Sequence, residues 1–405
     1  MIDTVVHTSN MGHHLRPTWV EIHQSALQRN FHVVRESVGQ AIGIIAMVKA
    51  DAYGHGAVPV ARWCVEAGAE ALGVATLEEG IELRDAGLTC PILVMCGLAG
   101  QGAVAADVAV AQNFTCVVHS AETLRLLDTA AKRRSSAASV HLKIDTGMTR
   151  MGMRPESLMH LLDALDQSPA VRVAGVMTHL AHVVDRESTA RQVACFTETA
   201  AIIRRHLRGP LVWHLGNSAA VLERRLGREE WCAPFALAAG DRFAVRPGIM
   251  LYGILPFSKY AGGTPLAPVM SLKSRWILIK HVPADTAVSY SGTWRTARPS
   301  RLAVLPVGYA DGYPWGLANH GVVLACGRRL PVVGRVTMDM TICDVTDLAQ
   351  ARVGDTVTLL GAEGNDVMTA EEMAERCQTI PYEIVCRMSK RVPRIYLPAL
   401  SSEAP

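Results

Sequence analysis

IGIIAMVKADAYGHG, residues 42–56, runs apolar as far as Val48, turns polar at Lys49 and becomes glycine-rich from Gly54. A short, continuously apolar run fits a strand covered on both faces, as in a parallel sheet, better than a half-exposed alternating strand. The pattern returns in ALGVAT (71–76), PILVMCG (91–97), FTCVVHS (114–120), SVHLKID (139–145), VAGVMTHLA (173–181), PLVWHLGN (210–217) and FAVRPGIMLYG (243–253). Between these runs lie helix-like segments such as TLEEGIELRDAG (76–87), SAETLRLLDTAAKRR (120–134) and ESTARQVACFTETAAIIRRHL (187–207). The starts recur at the spacing of a βα unit. Eight such units predict an α/β fold, a (β/α)8 barrel in preference to an open doubly wound sheet. Neither a G-x-G-x-x-G after the first strand nor a P-loop occurs, so dinucleotide and nucleotide readings gain no support.

After residue 258 the texture changes. MSLKSRWILIKHV, RLAVLPVGY, HGVVLACGRRLPVVGRV, MTICDVTD and GDTVTLLG are β-rich and separated by Gly, Pro and Asp turns. The expected organisation is a barrel over 12–257 behind a disordered extension (1–11), then a mostly β domain over 258–405. One helix is expected near TAEEMAERCQ, and YAGGTPLAP (260–268) reads as the linker.

The 405 residues are 49% hydrophobic and 19% charged with a net charge of +3, the profile of a soluble globular protein. No basic cluster with interleaved aromatics appears, so nucleic acid is not an expected partner. The N-terminal stretch lacks the layout of a secretory signal, and no apolar run approaches the roughly 20 residues that span a bilayer, so no membrane partner is expected. The ten scattered cysteines include no CxxC and read as small core residues. A cytoplasmic enzyme or binding protein is the expectation.

The C-terminal ends of barrel strands carry active sites. Here those ends offer Lys49, Arg150, His179, Asn217 with Ser218, Arg246, and Gly248 with Ile249. Any one of them is an ordinary loop residue; together they form a polar rim. A lysine closing a buried strand is an amine whose positive charge is costly to keep, which favours Schiff-base chemistry. Pyridoxal phosphate is the cofactor that most often uses one. Its phosphate could rest on the helix that Ser218 opens, beside Gly248 and the Tyr53 hydroxyl.

These residues also carry a resemblance. RPTWVEI, MVKADAYGHG, HLKIDTGMTRMG, THLA, HLGNSAA, VRPGIMLYG, VSYSGTW, LPVGYADGY, VGRVTMDM and PYEIVCRMSKRVPR resemble, in order, the motifs of bacterial alanine racemases. The resemblance implies a barrel that holds pyridoxal 5′-phosphate, a C-terminal β domain and a head-to-tail homodimer with shared active sites. Lys49 would hold the cofactor covalently and act as one catalytic base. Tyr290 would be the second base, supplied by the neighbouring subunit. Racemisation needs a base on each face of a planar carbanion, and tyrosine, titrating ordinarily near pH ~10, needs cations or a relay to serve. His179 and Arg246 would form that relay, Arg246 facing the cofactor's ring nitrogen as a cation with no proton to give. His179 reads equally as a buried structural histidine, as its neighbour His182 does, and Arg246 as a phosphate ligand or ion-pair residue. No further ligands recur around the two histidines, so no metal is expected.

By the same resemblance Arg150 would contact the cofactor and the substrate carboxylate, positioned by Lys143, which is carbamylated in some members and is otherwise a plain strand lysine. Tyr53, Ser218, Gly248, Ile249 and Tyr382 would meet the phosphate, with Asn217 a neighbouring polar contact. The Met338 N–H would meet the substrate carboxylate, and Tyr309 and Asp339 would stand behind it at the entrance. Tyr290, Tyr309, Tyr382 and Met338 would wall a small pocket, implying alanine as substrate with weaker turnover of serine. Since the reaction is reversible, it would serve supply of D-alanine as a cell-wall precursor or its breakdown.

Thr149 replaces the usual glycine before Arg150, Thr337 stands where many members have cysteine, and Met340 replaces a common polar residue. The connection over 228–241 looks long. The alternative is a pyridoxal-phosphate-dependent decarboxylase of the same layout, but that family lacks the YGHG tail and has a cysteine-aspartate-glycine type motif where this chain has none. A cofactor carrier with the barrel alone would leave the second domain unexplained.

Overall fold

The structure, a computed structural model, describes residues 15–98, 100–223, 238–256 and 266–399. The expected extension at 1–11, the connection as far as residue 237 and the linker up to residue 265 lie outside the described residues. The chain divides into two units, one made of Gln24–Ala267 and the other of the segment up to His23 together with Pro268 onward.

Strand β1 (Thr18–His23) begins the described chain. The eight apolar runs follow as β2 (Ile42–Met47), β3 (Ala71–Val74), β4 (Ile92–Val94), β5 (Thr115–Val118), β6 (Ala138–Lys143), β7 (Val171–Met177), β8 (Val212–Asn217) and β9 (Arg242–Arg246). They close in chain order into a parallel barrel, β9 pairing back on β2 through Ile42↔Phe243 and Ile44↔Val245. Every residue of β2 and β4 is buried, which explains their lack of polar alternation. The eighth run is longer in sequence than in structure. Pro247 brings no N–H to a ladder, and Ile249–Tyr252 turn into a 3-10 helix.

The helices between strands start where their sequences provide caps. Thr76 and Glu79 form a capping box ahead of Leu77–Asp85, and the Ser120 and Asp185 side chains accept from Thr123 N and Ser188 N. Helix Gln24–Val38 buries Leu27, Phe31, Val34 and Val38 along one face. Each such apolar side chain contributes about 1.5–3 kcal/mol when taken out of water.

The other unit holds β10 (Met270–Arg275), β11 (Leu278–Val282), β12 (Ala287–Val288), β13 (Trp294–Arg295), β14 (Ser300–Leu305), β15 (Val322–Ala325), β16 (Arg328–Pro331), β17 (Thr341–Asp344), β18 (Thr356–Glu363), β19 (Asp366–Met368) and β20 (Arg394–Leu397). Its main sheet runs β16-β15-β18-β10-β1-β20, with β19 on β18. A three-stranded sheet runs β11-β14-β17. The expected barrel span opened at residue 12, but Thr18–His23 pair with β10 and with β20, so the first strand groups with the C-terminal unit. Its burial alternates in and out, unlike the barrel strands. Of the cysteines expected in the core, Cys64, Cys116 and Cys343 are buried, whereas Cys96, Cys326 and Cys386 are exposed.

Candidate active site

Parallel strands put all their C-terminal ends on one rim. That rim carries Lys49 two residues past β2, Lys143 closing β6, His179 two past β7, Asn217 closing β8 and Arg246 closing β9. Two ladder irregularities fall within β6 and β8, between Val140 and His141 and between His214 and Gly216, the kind of bulge that re-aims side chains.

From Lys49 the chain enters a turn of the wrong hand. Ala50, Asp51, Ala52 and Tyr53 all have φ between 51° and 54°. A non-glycine residue in this conformation costs about 1–2 kcal/mol, so four in a row persist only under constraint. Glu79 braces the entry, its Oε1 accepting from Ala50 N at 2.7 Å and its Oε2 from Ala75 N at 2.6 Å. Tyr252 braces the interior, donating its hydroxyl to Met47 O at 2.9 Å and lying 4.9 Å from the Tyr53 ring. Tyr53 is brought against Gly248: a Cβ built on Gly248 would collide with the Tyr53 hydroxyl, so glycine is required there. Ser218 is buried, and its Oγ accepts from Gly248 N at 2.8 Å and Met250 N at 3.4 Å. The serine proton therefore remains available to an anion. Ile249 begins the buried 3-10 turn behind this cradle.

Asn217 is committed to the scaffold. Its Nδ2 donates to Leu180 O at 3.1 Å and its Oδ1 accepts from Ala220 N at 3.1 Å.

Arg246 is the most deeply held cation of the rim, 3% exposed. Its Nη1 lies 2.9 Å from His214 Nδ1, and its Nη2 reaches Thr178 O at 2.8 Å, His179 Nδ1 at 3.3 Å and Leu215 O at 3.4 Å. Guanidinium only donates, so both Nδ1 atoms are acceptors. His214 then carries its proton on Nε2 and donates it to His141 Nδ1, 2.7 Å away. His179 likewise keeps an Nε2–H, turned away from Arg246. Burial and the Arg246 charge hold His141 and His179 down at about 3, and His214 well below its ordinary value. Burial also lowers Arg246 to about 9, which leaves it charged at neutral pH. These histidines are thus neutral donors around a fixed cation. Gly175 makes room for His141, whose ring lies 2.8 Å from where a Cβ would stand.

This arrangement sets an acid limit. Above pH 6.5 the three histidines are neutral whether folded or not, and add no pH dependence. As pH falls from 6.5 toward about 3, the unfolded chain takes up protons that the folded site refuses. Stability should then fall by about 1.4 kcal/mol per pH unit for each such histidine. Melting temperatures taken down to about pH 4.5 test this, and a flat profile below the histidine range would contradict it.

Lys143 is buried at the end of β6, and burial together with Arg150 and Arg246 lowers its pKa to about 8. Arg150 itself is exposed, on a loop where Asp145 Oδ1 accepts from Gly147 N and Thr149 N.

The remaining candidates stand on the other unit. Tyr290 is 71% exposed on a 3-10 turn flanked by Ser289 (φ 59°) and Ser291 (φ 63°). Met338 and Asp339 occupy the tip of a turn that Thr337 closes, its hydroxyl accepting from Met340 N and donating to Met340 O. Tyr309 N and Ala310 N donate to Thr337 O and Met338 O, tying Tyr309 to this tip. Asp339 pairs with Arg391 at 2.7 Å. Tyr382 sits on helix Pro381–Cys386, its pKa pushed up to about 12 by burial. Among the described residues no group of three or more His, Cys, Asp or Glu could hold a metal ion, and no helix is long and apolar enough to cross a membrane.

Two family models match the chain, the alanine racemase N-terminal domain over residues 22–256 and the alanine racemase C-terminal domain over 269–396. The chain belongs to the alanine racemase family. The alanine racemase of Halothermothrix orenii is 40% identical over 387 residues, covering 94% of this chain and 97% of that protein. A crystal structure of the Bacillus anthracis alanine racemase with bound L-Ala-P has a TM-score of 0.84 at 34% identity, covering 95% of this chain and 96% of that one. The Bartonella henselae alanine racemase, solved with covalently bound pyridoxal phosphate, has a TM-score of 0.81 at 28% identity, covering 94% and 99%.

Against the alanine racemase pattern, the Thr149 departure has a local consequence. Thr149 adopts φ 53°, a conformation that suits glycine and strains a β-branched residue. Thr149→Gly should therefore raise stability by about 1 kcal/mol, read as a higher denaturant midpoint at unchanged slope. A lower midpoint would show that the threonine side chain contributes more than its backbone strain removes.

Sequence reasoning missed His141, His214, Glu79 and Tyr252. A period-2 reading could have found the first, since His141 and Lys143 fall on the same side of β6.

Proposed function

We propose that this chain interconverts L-alanine and D-alanine with pyridoxal 5′-phosphate at the barrel rim, as a cytoplasmic homodimer in which the partner's Tyr290 completes each site. The carrying observation is one rim on which Lys49 is followed by the Tyr53–Gly248–Ser218 cradle and backed by the buried Arg246. The residues fit the cofactor. The Ser218 proton, and the Tyr53 hydroxyl that lies against Gly248, suit a phosphate. Among the described residues no acceptor takes the Arg246 Nε–H, which leaves that donor for a ring nitrogen.

When bound, pyridoxal phosphate supplies the electron sink that makes the substrate's α-proton acidic. Lys49 Nζ exchanges that proton on one face and the partner's Tyr290 hydroxyl oxygen on the other. One base takes a proton as the other gives one, so the substrate inverts without turning over. The Nε2–H of neutral His179 is suited to donate to the phenolate of the partner's Tyr290, with Arg246 behind it as the stabilising cation. Arg246 has no proton to release at neutral pH, so it restrains how far charge drains into the ring and favours reprotonation at the α-carbon over transamination. Arg150 would hold the substrate carboxylate. A hydroxyl added to the substrate methyl changes binding by only about 1–3 kcal/mol, so slower turnover of serine follows.

Lys143 has a role in the same reading. At its lowered pKa of about 8, a sizeable neutral fraction can add carbon dioxide, releasing one proton and forming a carbamate that pairs with Arg150. A carbamate signal from 13C-labelled bicarbonate, lost in Lys143→Ala, is expected; its absence in the parent protein would contradict the modification.

The full-length match to alanine racemases favours racemisation over decarboxylation. Purified protein given pyridoxal phosphate and L-alanine should yield D-alanine on chiral separation, and D-serine more slowly from L-serine. Release of carbon dioxide, or unchanged L-alanine, would overturn the proposal.

A further inference from the structure

The left-handed turn after Lys49 is braced at its exit as well as at its entry. His55 is completely buried. Its Nδ1 lies 3.0 Å from Ala52 O and 2.9 Å from Tyr53 O. Carbonyl oxygens only accept, so Nδ1 carries the proton and shares it between two carbonyls of the strained run. Both contacts lie within two or three residues of His55 itself, and the backbone N–H of His55 adds a 3.1 Å bond to Ala52 O. The imidazole also packs 4.5 Å from the Tyr252 ring, which lies against Tyr53 and is anchored to Met47 O at the end of β2. A closed loop results: strand end, Lys49, left-handed turn, His55, Tyr252, strand end. Relaxing the turn toward ordinary backbone would swing Tyr53 relative to Lys49, because the two are separated only by the strained residues.

We propose that His55 is a positioning residue for the cofactor anchor: its Nδ1–H locks Ala50–Tyr53 in the left-handed form, and so fixes the Lys49 amine relative to the Tyr53 hydroxyl. It rests on the reading of Lys49 as anchor and Tyr53 as phosphate contact. His55 itself touches neither substrate nor cofactor. A buried histidine that merely filled space would stabilise the barrel without affecting how the cofactor is held.

Two amide variants separate these roles. In His55→Asn the amide nitrogen stands near the Nδ1 position, whereas in His55→Gln it stands near the Nε2 position and cannot reach the two carbonyls. Each variant is purified as the full chain, and pyridoxal phosphate affinity, the absorbance maximum of the bound cofactor, kcat and KM for alanine, melting temperature and amide hydrogen exchange over residues 49–57 are measured. His55→Gln is expected to weaken cofactor affinity by about 10–100-fold, since small misplacements of an anchoring group carry penalties of that size. It should also shift the absorbance maximum, lower kcat more than it raises KM, and speed exchange in the segment. His55→Asn should restore all of these toward the parent values, even where both variants melt at the same lower temperature. Equal behaviour of the two variants in exchange and cofactor affinity would overturn the role of His55. A parent protein that binds no pyridoxal phosphate would overturn the functional reading and this proposal with it, whereas normal binding by the parent and by both variants would overturn this proposal alone.

Discussion

Lys49→Ala should abolish racemisation, lowering kcat/KM by about 10⁴ or more, because one side chain both anchors the cofactor and moves the α-proton. A positioned general base alone is worth about 10²–10⁴, and loss of the covalent anchor removes the orientation on which the second base also depends. The variant should bind pyridoxal phosphate only loosely, without the absorbance of covalently held cofactor. Its fold should persist, since Lys49 is half-exposed and makes none of the bonds that brace the following turn. Parent-like absorbance and turnover in this variant would remove Lys49 from the mechanism.

The second large effect is one-sided. Tyr290→Phe keeps the ring and deletes only the hydroxyl, so a fold whose Tyr290 is 71% exposed should be unaffected. Inversion in either direction needs both faces served, and should fall by about 10²–10⁴ for both enantiomers. Exchange of the α-proton with solvent should survive for the enantiomer whose proton faces Lys49, and vanish for the other. A variant that slows both exchanges equally would indicate that Tyr290 shapes the pocket and moves no proton. Undiminished inversion would exclude it altogether.

The barrel was legible because both-face burial leaves a plain signature: each of the eight apolar runs overlaps a strand, in order. The first strand was less legible. Thr18–His23 precedes the barrel strands in sequence, yet its partners lie some 250 and 375 residues away, and no local pattern encodes pairing at that range. The rim residues could be named because polar side chains at strand ends stand out from apolar runs. His214 could not, since a histidine inside a buried strand reads as core until Arg246 is seen to fix its tautomer. The wrong-handed turn was hidden most deeply. Of alanine, aspartate, alanine and tyrosine only the aspartate is enriched at positive φ, and the conformation comes from Glu79, His55 and Tyr252, two of which lie far along the chain. Glycines at 54 and 56 hinted at an unusual loop and understated it.

The most direct test of the central claim, two bases on opposite faces of one cofactor site, is the early time course of L-alanine conversion in heavy water, with deuterium located in product and recovered substrate by NMR. Two bases with exchangeable protons should deliver D-alanine carrying α-deuterium from the first turnovers, while recovered L-alanine remains largely protiated. D-alanine that keeps the original α-proton would mean a single base shuttling one proton between faces, and would contradict the account.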